Sequence, residues 1–411
     1  MGDALLKREK IYRGLVQLMV DYFPKRSHSV VAAFPDDEGN GVEVLRLLVE
    51  RDAGRVYWLV DGIPDELLWL LNGIKTKDRL RLVRKRSLHG ILLFASARTV
   101  FFTHGLYFKP SPPPGAVFVN LWHGDGPKSR GNANFKQSIP STYIVSGTLL
   151  WGLNRLRSFG LQENQLLVTG NPRIDQFERP ASDAALRTVG IDPEKPLIIW
   201  MPTYRETRGT GRLQWNDASL LSDRQEIHLL LREVGRRSHS SGVTFVVKPH
   251  PMDKDTFLDT GIVVLTDTQL RRAQIGLYQL LARTAGLITD YSSVWTDYLV
   301  LNRPISFYCP DLPEYIDGRG LNVHDLPSLL PGPILNSAND FASFFAACTA
   351  GKPAFHSARQ QSVRLIGAET RTAATSRLLD ALGSESFRKE LQAQKDLSKV
   401  NQALLRGDKA R

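Results

Sequence analysis

Cysteine is scarce in this chain: 411 residues hold only two, Cys309 and Cys348. Neither lies in a CxxC or metal-ligand spacing, which argues against a disulfide framework or a zinc module and predicts two packed thiols in a reducing compartment. Long apolar runs are lacking as well; none approaches the ~20 residues that span a bilayer. The first residues, MGDALLKREKIYRGLVQLMVDYFPKR, carry charges on both sides of a short LVQLMV core and offer no small-residue cleavage site. They predict an amphipathic helix ending before Pro24, not a signal peptide. No HExxH, acidic triplet or Cys/His set points to a metal, and without a GxSxG elbow or P-loop the serine hydrolase and P-loop NTPase readings fall. Short-period repeats and low-complexity tracts are also missing. Acidic residues are outnumbered: the formal net charge is +11, which favours an anionic partner. Arg and Lys are scattered rather than interleaved with aromatics, which argues against nucleic acid as that partner.

What is present is a soluble globular composition, 42% hydrophobic and 23% charged, on a chain long enough for two or three domains. From Ser29 onward strand-like and helix-like segments alternate. VVAAF (30–34), RVYWLV (55–60), RLVR (81–84), TVFFTH (99–104), AVFVNLWHG (116–124), STYIVSG (141–147) and LLVTGNPRID (166–175) read as strands and their exits. EVLRLLVER (43–51) has the apolar spacing of a helix. The pattern restarts after the proline-containing IDPEKP (191–196) with PLIIWM, TFVV, GIVVLT, GLIT and RPISFY. Such alternation marks parallel sheets with crossover helices. The expected fold class is therefore α/β, two Rossmann-like domains facing a cleft. The expected boundaries are a helix over 1–28, domains over 29–185 and 190–383, and a charged carboxyl-terminal helix over 384–411.

Polar clusters fall where these strands should end, the place where open parallel sheets bind ligands. Trp122-His123-Gly124-Asp125-Gly126-Pro127-Lys128 follows VFVNL, and Thr203-Tyr204-Arg205-Glu206 follows LIIWMP. Lys248-Pro249-His250-Pro251 follows TFVV, and Asp290-Tyr291-Ser292-Ser293 follows GLIT. A helix starting at Ser292 or Ser293 would offer free N–H groups and two hydroxyls to an anion, or the same residues could simply cap the backbone. Prolines on both sides aim His250, beside Lys248, as a phosphate ligand or an acid; Lys248 pointing to solvent is the alternative. His123 precedes two glycines that permit close approach of a ligand, and imidazole suits proton transfer near neutrality; a turn-capping histidine is the bland alternative. The remaining histidines, including His28, His104 and His239, have no partner at useful spacing and read as structural.

The ordered set FPDDEGNGVEVL, FASARTVFFTHG, NLWHGDGPK, GNPRID, MPTYRE, VKPHP, LITDYSSVWTDY, RPISFYCPDLPEY and DGRGLNVHDLPSLLPGP resembles the CDP-glycerol glycerophosphotransferases that build teichoic acids and related polyol-phosphate polymers. The resemblance covers roughly residues 30–340. It implies a GT-B type fold and transfer of glycerol phosphate, or another polyol phosphate, from a CDP-polyol to a hydroxyl, releasing CMP. By the same resemblance His123 matches the general base and His250 the histidine on the donor phosphates. Ser292 and Ser293 match the donor-phosphate cradle, with Asp290 orienting the loop and Lys248, Arg319, Thr203 and Arg205 lining it. Gly124, Lys128 and Arg173 fall on the acceptor side. No cofactor is implied beyond the substrate, CDP-glycerol or CDP-ribitol. The implied partners are that donor and a lipid-linked saccharide or polyol-phosphate acceptor at the inner membrane face. The expected location is thus cytoplasmic, peripheral on the plasma membrane. One departure is Asp125-Gly126-Pro127 where the family often has Thr-Pro-Leu. A nucleotide-sugar glycosyltransferase of the same fold, or an inactive polymer- or lipid-binding homologue, are the competing readings.

Overall fold

The structure is a computed structural model that describes residues 2–62, 67–74, 77–128, 138–203, 221–249, 260–318, 320–323, 325–350 and 354–390. Two compact units divide it. The first opens with α1 (Gly2–Tyr22), β1 (Arg26–Ala32), α2 (Gly39–Glu50), β2 (Arg55–Val60), β3 (Leu80–Arg84) and α3 (Leu88–Ser96). It continues through β4 (Ala97–Phe102), β5 (Val117–Asn120), β6 (Tyr143–Ser146), α4 (Leu149–Phe159) and β7 (Leu166–Val168). Its seven strands lie in the order β3-β2-β1-β4-β5-β6-β7, with every recorded pairing parallel. Val-, Phe- and Leu-rich strands buried on both sides are what such a sheet requires. One apolar cluster gathers Val16, Val20, Phe94, Phe118, Leu149 and Phe159, and a second gathers Leu45, Trp58, Leu71, Phe101 and Val145.

The second unit contains α5 (Asp183–Thr188), β8 (Leu197–Trp200), α6 (Leu221–Ser240), β9 (Thr244–Val247), β10 (Val263–Val264), α7 (Asp267–Arg272), α8 (Leu277–Leu281) and β11 (Thr284–Thr289). Then come α9 (Val294–Tyr298), β12 (Ile305–Phe307), α10 (Leu312–Gly318), α11 (Ala338–Thr349) and α12 (His356–Ile366). The strand order is β10-β9-β8-β11-β12, again parallel. Ile198, Trp200, Phe245, Phe341 and Phe345 fill the core against α6 and α11. Each unit thus reverses its strand order once, at β1/β4 and at β8/β11, and such reversals are where doubly wound sheets open to ligands.

The unit boundaries differ from the expected ones. The main segment of the first unit ends at Asp175, not near 185, and the described residues 371–390 return to it from the far end of the chain. The physical reason is α13 (Ala374–Gly383), which belongs to the first core through Leu378 and Ala381. The Asp175 carboxylate caps it, accepting from the Ala374 N–H at 2.7 Å and the Thr375 N–H at 2.9 Å. Arg51 and Asp380 add an ion pair at 2.8 Å. Residues 125–128 group with the second unit, although WHGDGPK reads as one motif. Of the expected carboxyl-terminal helix, residues 391–411 lie outside the described residues. Among the described residues, no helix is long and apolar enough to cross a membrane.

Candidate active site

In the first unit the chain leaves β5 through Trp122, whose φ of +52° is the left-handed region that a bulky residue rarely adopts. Hydrogen bonds enforce it. The Trp122 N–H donates to Asn120 Oδ1 at 3.0 Å, and Asn40 Nδ2 donates to the Trp122 carbonyl at 3.1 Å. Asn40, fully buried at the start of α2, also accepts from the Arg173 N–H at 3.0 Å. The turn leaves His123 exposed while its backbone is held from beneath: Arg173 Nη1 donates to the His123 carbonyl at 2.8 Å. Gly124 follows at φ +151°, a conformation open to glycine, and Arg155 Nη2 donates to its carbonyl at 2.7 Å. Arg173 also lies 3.5 Å from Glu38, the N-cap of α2. Its guanidinium thus joins the His123 backbone to Glu38.

In the second unit the exits of β8 and β11 are tied together at the strand-order reversal. Buried Asp290 accepts from the Thr203 N–H at 2.7 Å, the Thr203 hydroxyl at 2.5 Å and the Ser292 N–H at 3.1 Å. Its carboxylate thereby shapes the turn that presents Ser292 and Ser293, both half-buried ahead of α9. No side-chain cap closes that helix at Ser293. Tyr291 stacks on Tyr315 with ring centroids 3.8 Å apart, and Tyr278 donates to Asp297 at 2.5 Å, fixing the far side of the turn.

The DGPK segment packs against this turn. Thr296 Oγ1 lies 2.9 Å from the carbonyl of buried Asp125, and a Cβ added at Gly126 would come within 3.1 Å of Ser293 Cα. Further along, the Asn322 N–H donates to the Pro127 carbonyl at 2.7 Å and Asn322 Nδ2 to the Lys128 carbonyl at 2.8 Å. Position 126, where the family often has proline, has little room for a side chain here. Lys248, expected on the donor phosphates, is buried and ion-paired with Asp267 at the start of α7, 2.8 Å away. His250, Arg205 and Arg319 lie outside the described residues.

Two contributors went unnoticed in the sequence. Asn40 lies within the FPDDEGNGVEVL motif, but the motif alone assigns it no task. His104, read as structural, lies flat against His123 with centroids 4.4 Å apart and planes 6° from parallel. Parallel pairing of Phe102 with Asn120 explains this, since it brings the exits of β4 and β5 side by side. His28 Nε2 lies 2.9 Å from the Leu93 carbonyl, and His239 Nδ1 lies 2.7 Å from the Gly235 carbonyl.

The sequence pattern of the CDP-Glycerol:Poly(glycerophosphate) glycerophosphotransferase family matches residues 47–382. The chain belongs to this family. Among curated glycerophosphotransferase relatives it is 34% identical over 188 residues to the teichoic acid ribitol-phosphate primase of Bacillus spizizenii, covering 43% of each chain. It is 32% identical over 179 residues to the teichoic acid glycerol-phosphate primase of Bacillus subtilis, covering 43% of this chain and 41% of the primase. The match thus spans less than half the length of either primase. Among solved structures, a variant of the wall teichoic acid polymerase TagF superposes with a TM-score of 0.68 at 17% identity, over 96% of both chains. This likeness establishes the shared fold, two parallel-sheet Rossmann-like units of the GT-B type.

Proposed function

We propose that this protein transfers a polyol phosphate, glycerol phosphate or ribitol phosphate, from the CDP-polyol to a hydroxyl of a lipid-linked or polymer acceptor, releasing CMP. The observation that carries this reading is the exposed His123 imidazole, held on a backbone that Asn40, Arg155 and Arg173 fix in place. Family membership supplies the reaction class. In this reading His123 takes the proton as the acceptor oxygen attacks the β-phosphorus in line. The new phosphoester bond forms as the bond to CMP breaks. Hydroxyls and N–H groups of the Ser292–Ser293 turn, shaped by Asp290 and Thr203, stabilise charge on the phosphates. Positioning supplies most of the effect, and no cofactor enters beyond the CDP-polyol.

Both polyols are carried forward because a ribitol-phosphate and a glycerol-phosphate primase match almost equally well. A TagF variant soaked with CDPG supports the glycerol donor by analogy of fold. Attachment to the cytoplasmic membrane face belongs to the same proposal. Its support is α1, where Ile11, Leu15, Leu18 and Tyr22 form an exposed stripe, 52–80% accessible, beside the buried Val16 and Val20. With the surplus of 11 positive charges, such a stripe suits an anionic lipid surface.

The direct test offers CDP-glycerol, CDP-ribitol and a UDP-sugar with a membrane lipid extract. CMP release from one CDP-polyol alone supports the proposal and names the donor. Transfer from the UDP-sugar alone would replace it with glycosyl transfer. Co-flotation with phosphatidylglycerol vesicles, lost in Leu15→Glu/Leu18→Glu, tests the attachment; equal flotation of the variant would refute the role of α1.

A further inference from the structure

Thr103 and His104 leave β4 beside the catalytic candidate, yet the proposed transfer assigns His104 no task. Its surroundings are built. Thr103 Oγ1 accepts from the Phe34 N–H at 2.9 Å and lies 3.1 Å from His104 Nδ1, so the exits of β1 and β4 are joined at the ring. Phe34 meets His104 edge-on at 5.4 Å, and Trp122 lies 5.7 Å away. Held in this way, His104 presents one face to His123 at 4.4 Å with the planes nearly parallel. Trp122, itself 4.0 Å from His123, sits on a backbone fixed by Asn40 and Asn120.

An exposed imidazole ordinarily moves among several staggered rotamers, and each wrong rotamer removes the base from the proton it must accept. A flat, anchored ring on one side excludes many of them. We infer that His104 is a positioning residue, a planar backstop that holds the His123 imidazole in its working rotamer. This rests on the reading of His123 as the base. What the role requires is a flat ring of similar size at position 104, so the proposal separates shape from chemistry.

The experiment compares His104→Ala with His104→Phe by kinetics and by NMR of the His123 ring protons, assigned through their loss in His123→Ala. His104→Ala should lower kcat about tenfold or more while leaving the donor KM within about twofold, the signature of a misplaced group. His104→Phe should recover kcat to within about threefold of the parent by restoring the flat contact. The His123 signals should move downfield in His104→Ala, where the neighbouring ring current is gone, but not in His104→Phe. Equal impairment of the two variants, or unmoved His123 signals in His104→Ala, would overturn the inference. Full activity in His123→Ala would instead remove the base reading, while the NMR comparison would still report the stack.

Discussion

Replacing Asp290 with asparagine tests how the β11 exit is held. Three donors converge on the buried carboxylate: Oδ2 accepts from the Thr203 N–H, and Oδ1 accepts from the Thr203 hydroxyl and the Ser292 N–H. In Asp290→Asn a carbonyl oxygen at the Oδ1 position preserves two bonds without their charge. The amide NH2 then faces the Thr203 N–H, donor against donor. Losing one charge-assisted bond costs roughly 1.5–3 kcal/mol, and weakening the other two brings the total to about 2–4 kcal/mol. A melting midpoint reports stability over a whole cooperative unit and does not locate the loss at this turn. Native-state hydrogen exchange does. The Thr203 and Ser292 amides should exchange roughly 30- to 1000-fold faster in Asp290→Asn, since each 1.4 kcal/mol is tenfold, while amides of the first unit stay unchanged. Exchange within about threefold of the parent at both amides would refute the assignment of Asp290 as the clamp of this turn.

Two further expectations concern the first unit. Asn40→Ala strands the Trp122 carbonyl and the Arg173 N–H in a buried setting, so it should cost about 2–4 kcal/mol and lower kcat; unchanged thermal unfolding and kcat would contradict this. Burial holds the His28 imidazole below its usual pKa, against a smaller opposing effect of its bond to the Leu93 carbonyl. The unfolded chain therefore takes up this proton at higher pH than the folded one. The stability involved is present above about pH 6.5 and lost as the pH falls below it. The fall in melting temperature between about pH 7.5 and 5.5 should be smaller in His28→Phe than in the parent, and identical pH slopes would refute this.

Much of the fold is legible in the sequence because buried parallel strands leave a local signature. RVYWLV is β2 residue for residue, and the apolar runs before WHG and DYSS end as strands at those motifs. The same signature places Asp290 just past a strand end, whereas its orienting role is implied by the family resemblance alone. What depends on distant parts of the chain was not. Asp175 caps a helix about 200 residues away, and no local pattern reports that the chain returns to its first unit. Pairing of Lys248 with Asp267 joins the exit of β9 to the start of α7, so a motif that reads as a phosphate site places its lysine in an ion pair. His104 stands 19 positions from His123, a spacing with no helical or strand meaning; only the parallel register of β4 and β5 brings the rings together. Asn40 is hidden in the same way, because its two partners come from different strand exits.

Acceptance of the acceptor hydroxyl's proton by His123 is the step on which the proposed polyol-phosphate transfer turns. Its most direct test is acceptor-dependent CMP release by the parent protein and by His123→Ala, with CDP-glycerol and CDP-ribitol as donors and folding of the variant checked by circular dichroism. The parent should release CMP, and a folded His123→Ala should show a kcat lower by roughly 10²- to 10⁴-fold, the usual range for loss of a general base. Release by folded His123→Ala within about threefold of the parent would contradict it.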